Sequence, residues 1–201
     1  MKIGILGAGV VGSHLGKAFG QAGHAIMYSS REPQSEKMKT LVSETPNSSA
    51  GSVEETVAFG EIIIIAIGWQ NGLEDVLKSI KNWSGKILVD TTNRFGSTSK
   101  ASAAEDIAHI TKAPIIKAFN TIGAELMDDP MFGDMAASLF VAGDSVARKK
   151  VIPLISEIGF DVVDAGGMEN ILRLEALAGL WVELAYRQGF GRNVAFKLLR
   201  K

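Results

Sequence analysis

The sequence has 201 residues, enough for one domain with a small appendage and for a core that needs no disulfide or structural metal. It holds no cysteine, which excludes a disulfide framework, a thiolate nucleophile and a Cys-ligated zinc site. Its 21 basic residues balance 22 acidic ones with no basic arm or stripe, so nucleic acid is not an expected partner.

Lys2 to Leu6 is a buried-strand run that enters Gly7-Ala8-Gly9-Val10-Val11-Gly12. These glycines, followed by His14 and Lys17 without a small-residue cleavage site, argue against a secretory leader. Apolar residues at Val11, Leu15, Ala18, Phe19 and Ala22 then keep helical spacing up to Gly23-His24. Ala25 to Tyr28 reads as the second strand. The polar stretch from Ser43 to Ser52 reads as a loop. Ser52-Val53-Glu54-Glu55 has capping-box spacing and opens a short helix that ends near Gly60.

Ile62 to Ile67 is the third strand, and its four consecutive isoleucines suit a central parallel strand covered on both faces. It is also the longest apolar run outside the first strand, far short of the ~20 residues that span a bilayer. A cytoplasmic protein with no membrane partner is therefore expected. Leu73, Val76, Leu77 and Ile80 make the next helix stripe, and Lys86 to Asp90 the fourth strand. A weaker helix from Ala101 to Ile110 precedes a fifth strand, Ile115 to Phe119, with Pro114 tolerated at its start. Ser138 to Ala142 is the sixth strand. Asp144 can cap the helix after it, where Pro153 is expected to cause a kink or a delayed start. Asp161 to Val163 is one more short strand.

Strands alternating with helices call for an α/β fold, a Rossmann-type doubly wound and mainly parallel sheet. We expect residues 1–166 to form this dinucleotide-binding domain and 167–201 a short C-terminal helical segment. In that segment Ile171, Leu174, Ala178, Trp181, Val182 and Ala185 form one stripe, and Leu172, Leu177, Leu180 and Leu184 widen it past one face. A helix so apolar must be buried on more than one side, and too little chain remains to cover it. A homodimer is expected, with Trp181 near the centre of its interface.

The glycine pattern fits G-x-G-x-x-G at the position where it carries meaning, after a first strand and opening a helix. The first glycine makes the turn, the second lets backbone approach a pyrophosphate, and the third lets helix pack on strand. Gly7, Ala8, Gly9, Val10, Val11 and Gly12 are thus candidate cofactor residues, with the helix N-terminus facing the phosphates. At the end of the second strand an NAD site usually carries an acid for the ribose hydroxyls. This chain has Ser29, Ser30 and Arg31 there, which suit a 2′-phosphate, so NADP(H) is favoured.

Ligands of such sheets sit beyond the carboxyl ends of the strands. That rule selects Gly68-Trp69-Gln70 after the third strand, with Ile67 at its end, Thr91-Thr92-Asn93 after the fourth, and Phe119-Asn120-Thr121 after the fifth. Trp69 either shields the cofactor or simply packs. Asn93 and Asn120 either hydrogen-bond the nicotinamide or its ribose, or satisfy loop backbone as Asx turns; the sequence leaves both readings open. Asp90 reads as a structural acceptor. No His, Lys or Tyr stands where a carbonyl reductase needs its proton donor: His14, His24, His109, Lys117, Tyr28 and Tyr186 all read as structural. The catalytic residues are thus unassigned, and an acceptor that needs no strong protein acid, such as a flavin-like ring, fits best.

Four features together resemble the NADPH-dependent reductases of the deazaflavin coenzyme F-420 and their relatives. They are KIGILGAGVVGSHLGKAFGQAGH from Lys2, the Ser30-Arg31 pair, KAFNTIG from Lys117 to Gly123, and VVDAGG followed by the Glu175-to-Trp181 helix. The resemblance implies a homodimer, a C-terminal segment forming the rim of a shallow pocket, and two rings stacked there for direct hydride transfer. It also implies that Ser30 and Arg31 contact the 2′-phosphate and that Phe119, Asn120 and Thr121 lie beside the nicotinamide. The deazaflavin enzymes more often carry His than Asn in that segment. The same fold is similar to the cytosolic domain of membrane-bound ferric reductases, which pass hydride to a flavin. Thr121 and Met168 are candidates for contact with substrate.

The expected function is an NADP(H)-dependent oxidoreductase passing hydride between nicotinamide and a flavin, a deazaflavin or another small acceptor. The rival is a non-catalytic NADP(H) sensor. No metal site is expected.

Overall fold

The computed structural model describes residues 1–94 and 102–201. Eight strands form one sheet in the order β10-β9-β6-β5-β4-β1-β2-β3. They are β1 (Lys2–Leu6), β2 (Ala25–Ser29), β3 (Ser48–Gly51), β4 (Ile62–Ile65), β5 (Ile87–Asp90), β6 (Ile115–Lys117), β9 (Ser138–Gly143) and β10 (Asp161–Asp164). Between β6 and β9 lies a small antiparallel hairpin, β7 (Met131–Phe132) and β8 (Met135–Ala136). Every pairing in the main sheet is parallel except β6 with β9. From β1 the chain builds outward through β2 to β3, then returns to β4 on the other side of β1. The sheet is therefore doubly wound, and its order reverses between β1 and β4, where ligands of open α/β sheets bind.

The buried four-isoleucine strand shows why both faces need cover. Ile62 and Ile64 of β4 enter the core on one face, together with Ile3, Ile5, Leu15, Phe19 and Leu154. Ile63 and Ile65 enter the opposite core with Leu77, Ile107 and Leu174. Alternation at period two places each side chain on one face, and helices close both. On the first face lie α1 (Val10–Gln21), α2 (Glu36–Glu44) and α6 (Ser145–Ser156). On the second lie α3 (Val53–Phe59), α4 (Leu73–Ser79), α5 (Ala103–Thr111) and α7 (Ile171–Val182), which continues as a π-helical turn over Glu183–Arg187.

Two sequence expectations are corrected here. The polar 43–52 stretch is not all loop: Ser48–Gly51 is the edge strand β3, paired with β2 from Ile26↔Ser48 to Ser29↔Gly51. Its ladder uses backbone only, so it needs no apolar alternation. Of the two outcomes expected at Pro153, the delayed start does not occur: α6 starts at Ser145 and runs through it to Ser156. Pro153 and Lys149 are both exposed, so water can satisfy the carbonyl that the missing N–H leaves free. The capping box at Ser52 and Glu55 is present, and Asp144 caps α6 through the Val146 and Ala147 N–H groups. The expected helix start at Ala101 lies outside the described residues; Ser102 and Glu105 form a second capping box for α5. Among the described residues no helix is long and apolar enough to cross a membrane.

Candidate functional site

β1 delivers the chain into a turn that only glycine permits. Gly7 has φ +108°, and a side chain there would press on the Ala66 carbonyl. At Gly12 an added Cβ would overlap the Gly7 carbonyl oxygen, so helix and turn touch backbone to backbone. Gly9 differs, because a Cβ there meets nothing within 4 Å. It is the N-cap of α1, has no side-chain cap, and no acid stands in the first turn. The first N–H groups of α1 thus face an open space with their partial positive charge unopposed.

That space is a cleft of about 1040 Å³ lined by Gly7, Ala8, Gly9, Ser29, Ser30, Arg31, Lys37 and Ile67 among others. Ser29 is buried, and its Oγ accepts a hydrogen bond from the Gly7 N–H at 3.1 Å, tying the glycine turn to β2. Ser30 Oγ accepts from the Glu32 N–H, which orders the bend after β2. Arg31 is exposed, and among the described residues it has no ion-pair partner. Glu32 lines the same cleft without pairing to it. Lys37, in the first turn of α2, is a second cation on this wall. Sequence reading did not find it, because α2 buries only Met38 and so lacks a clear apolar period.

A second pocket, about 350 Å³, opens at the carboxyl ends of β5 and β6. Val11 on α1, Thr91, Asn93, Phe119, Asn120, Ile122, Met127, Trp181, Tyr186 and Arg192 border it. Phe119 is held at φ +63°, a left-handed conformation costly for an aromatic residue, and is fixed edge-on between Phe19 and Phe160. This bend turns Asn120 toward α7. Asn120 Nδ2 donates to the Leu174 carbonyl at 3.0 Å and to Asn93 Oδ1 at 3.3 Å, while Asn93 Nδ2 donates to the Asn120 carbonyl. The Leu174 carbonyl accepts only, so it fixes which end of the amide is nitrogen. Among the described residues Asn120 Oδ1 is left buried with no partner, a costly state that a donor from a ligand would relieve.

Beneath this pocket Lys117 is fully buried. Its Nζ donates to Asp90 Oδ2 at 2.5 Å and to the Thr92 carbonyl at 2.8 Å, and lies 3.2 Å from Glu175 Oε1. Asp90 Oδ1 accepts from the Thr92 N–H and hydroxyl. Asp90 and Lys117 are structural, as the sequence suggested, and together they join β5, β6 and α7.

Other candidates lie elsewhere. Trp69 stacks on the Arg94 guanidinium at 3.9 Å and lines a separate cleft with Asp106 and His109. Gly68 starts the short 3-10 turn that carries Trp69. Thr121 is buried, and Met168 packs on the core cluster behind β4, with neither in the lining of the two pockets. His14 pairs with Asp128, and His24 with Glu157, and neither histidine lines either pocket. Tyr28 is buried with its hydroxyl on Thr45 Oγ1, and burial pushes its phenol above the usual range. Tyr186, read from sequence as structural, instead reaches the second pocket, where its hydroxyl accepts from Arg192. Arg192 also pairs with Glu125 at 2.7 Å; burial raises that carboxyl, and its own backbone N–H and Arg192 outweigh this and hold it below the ordinary value. Trp181 is turned inward, buried and donating to the Val194 carbonyl, so it cannot be the exposed centre of an interface.

Residues 2–94 match the family model described as NADP oxidoreductase, coenzyme F420-dependent, just under half of the chain. The fold matches a crystal structure from Arthrobacter sp. FB24, described as an F420-dependent NADP reductase. The TM-score is 0.82, with 26% identity over 100% of both chains. A hypothetical protein of Sinorhizobium meliloti gives TM-score 0.71 and 26% identity over 100% of this chain and 96% of its own. A reductive aminase of Aspergillus terreus, solved with NADPH and ethyl-5-oxohexanoate, gives TM-score 0.72 and 19% identity. There this chain covers 63% of the neighbour's length and 94% of its own, a likeness of fold alone. The resemblance read from the four sequence features is borne out, and the matched family and these reductases are NADP-dependent oxidoreductases.

Proposed function

We propose, from the premise that this chain resembles the coenzyme F420-dependent NADP oxidoreductases, that it is an NADP(H)-dependent oxidoreductase passing hydride to or from a flavin-like or other small acceptor. The observation that carries this reading is the cleft where the uncapped start of α1 meets Ser30, Arg31 and Lys37. The residues fit the cofactor along its length. Gly9 leaves room for a pyrophosphate that the α1 N–H groups can bind. Arg31 and Lys37 supply positive charge, and Ser30 a hydroxyl, for a 2′-phosphate. Asn120 Oδ1, unpaired among the described residues, would accept from the carboxamide of the nicotinamide, and Phe119, Ile122, Met127 and Trp181 would keep water from the ring.

When bound, the cofactor supplies the hydride chemistry. The protein contributes little acid: among the described residues no His, Lys, Asp or Glu lines the second pocket, and its one phenol, Tyr186, is held by Arg192. A ring acceptor such as a flavin or deazaflavin, which delocalises the incoming electron pair, suits such a wall. Mixing protein and NADPH with flavins, deazaflavin, quinones and ferric chelates tests this by loss of reduced-nicotinamide absorbance. No turnover with any acceptor would favour a sensor instead.

Arg31→Ala is expected to weaken NADPH binding by about 10- to 100-fold, because a hydrogen bond to a charged group is worth roughly 1.5–3 kcal/mol. NADH affinity should not change. Calorimetry on both proteins with both cofactors reads this, and equal NADPH affinity would remove Arg31 from the site.

A homodimer is part of the same proposal, with residues 1–166 as the dinucleotide domain and 167–201 as its dimerising segment. α7 buries Ile171, Leu174, Ala178 and Trp181 against its own sheet, yet Leu172 and Leu180 remain 49% exposed, followed by exposed Tyr186 and Phe190. Exposed apolar residues on this helix and just past its end are the kind of patch that a two-fold partner covers. Light scattering should give a dimer for the wild type and a monomer for Leu180→Glu. A wild type that is monomeric at micromolar concentration would defeat the dimer.

A further inference from the structure

Three ionisable groups meet under the second pocket: one ammonium, Lys117, between two carboxylates, Asp90 and Glu175. Asp90 is the residue before Thr91, Lys117 is two residues before Phe119, and Glu175 follows Leu174, whose carbonyl binds Asn120. Each member therefore sits beside a residue that borders the pocket or holds its wall. Asp90 matches the charge of Lys117 at the shorter distance. Among the described residues Glu175 is then the surplus carboxylate, fixed in place by the Ala103 N–H at the first turn of α5. Among the described residues the other charges nearby are paired, Arg94 with Asp106, Arg192 with Glu125 and His14 with Asp128. Arg192 is the only charged residue lining the pocket among the described residues.

Glu175 keeps 18% of its side chain exposed, so solvent screens its charge only in part and it acts over several ångströms. Losing a hydride leaves a nicotinamide ring with one more positive charge than before. Resting on the cofactor reading above, we propose that Glu175 is a positioning residue in the electrostatic sense: it biases this pocket toward the oxidised, positively charged nicotinamide. NADPH held here is consequently a stronger hydride donor than NADPH in water. Glu175 does not touch the cofactor, and its role is carried through Lys117 and the field it leaves uncancelled.

The test is the ratio of dissociation constants for NADP⁺ and NADPH in wild type, Glu175→Gln and Glu175→Asp. Both cofactor forms share adenosine, phosphates and riboses, so the ratio reports on the nicotinamide end. Glu175→Gln keeps an oxygen for the Ala103 N–H but removes the charge. It should raise the ratio by roughly 4- to 15-fold, the effect of a unit charge over about 10 Å at an effective dielectric of about 20 to 40. Glu175→Asp keeps the charge and should leave the ratio within about twofold of wild type. A purely structural role would weaken both forms together and leave the ratio unmoved, and that result would overturn the proposal. The wild type, where no variant can misfold, gives a second check: NADP⁺ should bind at least as tightly as NADPH. A clear preference for NADPH would overturn the proposal while leaving the cofactor site intact. Failure of the wild type to bind either form would overturn both.

Discussion

Gly9→Val should abolish NADPH binding in a protein that still folds, with affinity reduced at least about 100-fold, or about 2.7 kcal/mol. The expectation follows from the contrast between two glycines of one turn. At Gly12 an added Cβ runs into the Gly7 carbonyl, so Gly12→Ala must push α1 off the turn and should cost stability of about 1–3 kcal/mol or more. At Gly9 the same atom meets nothing, and φ is −87°, which any residue can adopt. Valine is a poorer N-cap than glycine, so a loss of order 1 kcal/mol in stability is expected and no more. Its side chain would stand where the α1 N–H groups must be reached. Circular dichroism and calorimetry on the two variants separate the roles. Wild-type affinity in a folded Gly9→Val protein would place the cofactor elsewhere.

Lys117→Met should destabilise the protein by roughly 3–5 kcal/mol, the cost of breaking a buried pair by removing one partner. The ammonium alone offsets Asp90, which has no exposure to water, and much of Glu175. Removing it leaves two carboxylates facing each other without a cation. Adding Asp90→Asn to the same protein should recover part of the loss, because a neutral amide needs no counter-charge. Chemical denaturation of the three proteins measures this. A loss below about 1 kcal/mol in the single variant would show that the pair contributes little to the join between β5, β6 and α7.

Much of the fold could be read before any coordinates, where periodicity and turn chemistry agreed. The glycine turn, the all-isoleucine strand and the Ser52 capping box each carry a local signature that tertiary structure does not override. The misses have local causes. α2 is mostly exposed and β3 is a Ser-Ser-Ala-Gly edge strand, so neither has an apolar period, and Lys37 was lost with them. The reversal of β9 against β6 was not legible either, because strand direction leaves no mark on alternation.

The site was legible to a similar depth. Residue type and strand-end position selected Ser30, Arg31, Asn93, Phe119 and Asn120. The positive φ of Phe119, the orphan oxygen of Asn120 and the surplus charge of Glu175 arise from long-range packing that no short motif encodes. Trp181 shows the opposite error. An aromatic residue on an over-apolar helix was assigned outward, and the tail of its own chain supplies the carbonyl that draws it inward.

The central claim is that NADPH bound at the Gly7–Gly12 turn gives hydride directly to an acceptor in the pocket formed by Phe119, Asn120 and Trp181. It is tested most directly with NADPH carrying deuterium on one face of C4, incubated with protein and the acceptors named above. Mass spectrometry then follows the label. For at least one acceptor the deuterium is expected to leave NADPH from one face only, kept on the ring carbon of a reduced deazaflavin or passed to solvent from the exchangeable N–H of a reduced flavin, and Gly9→Val is expected to stop the transfer. NADPH left unconsumed with every acceptor, or label lost equally from both faces, would contradict it.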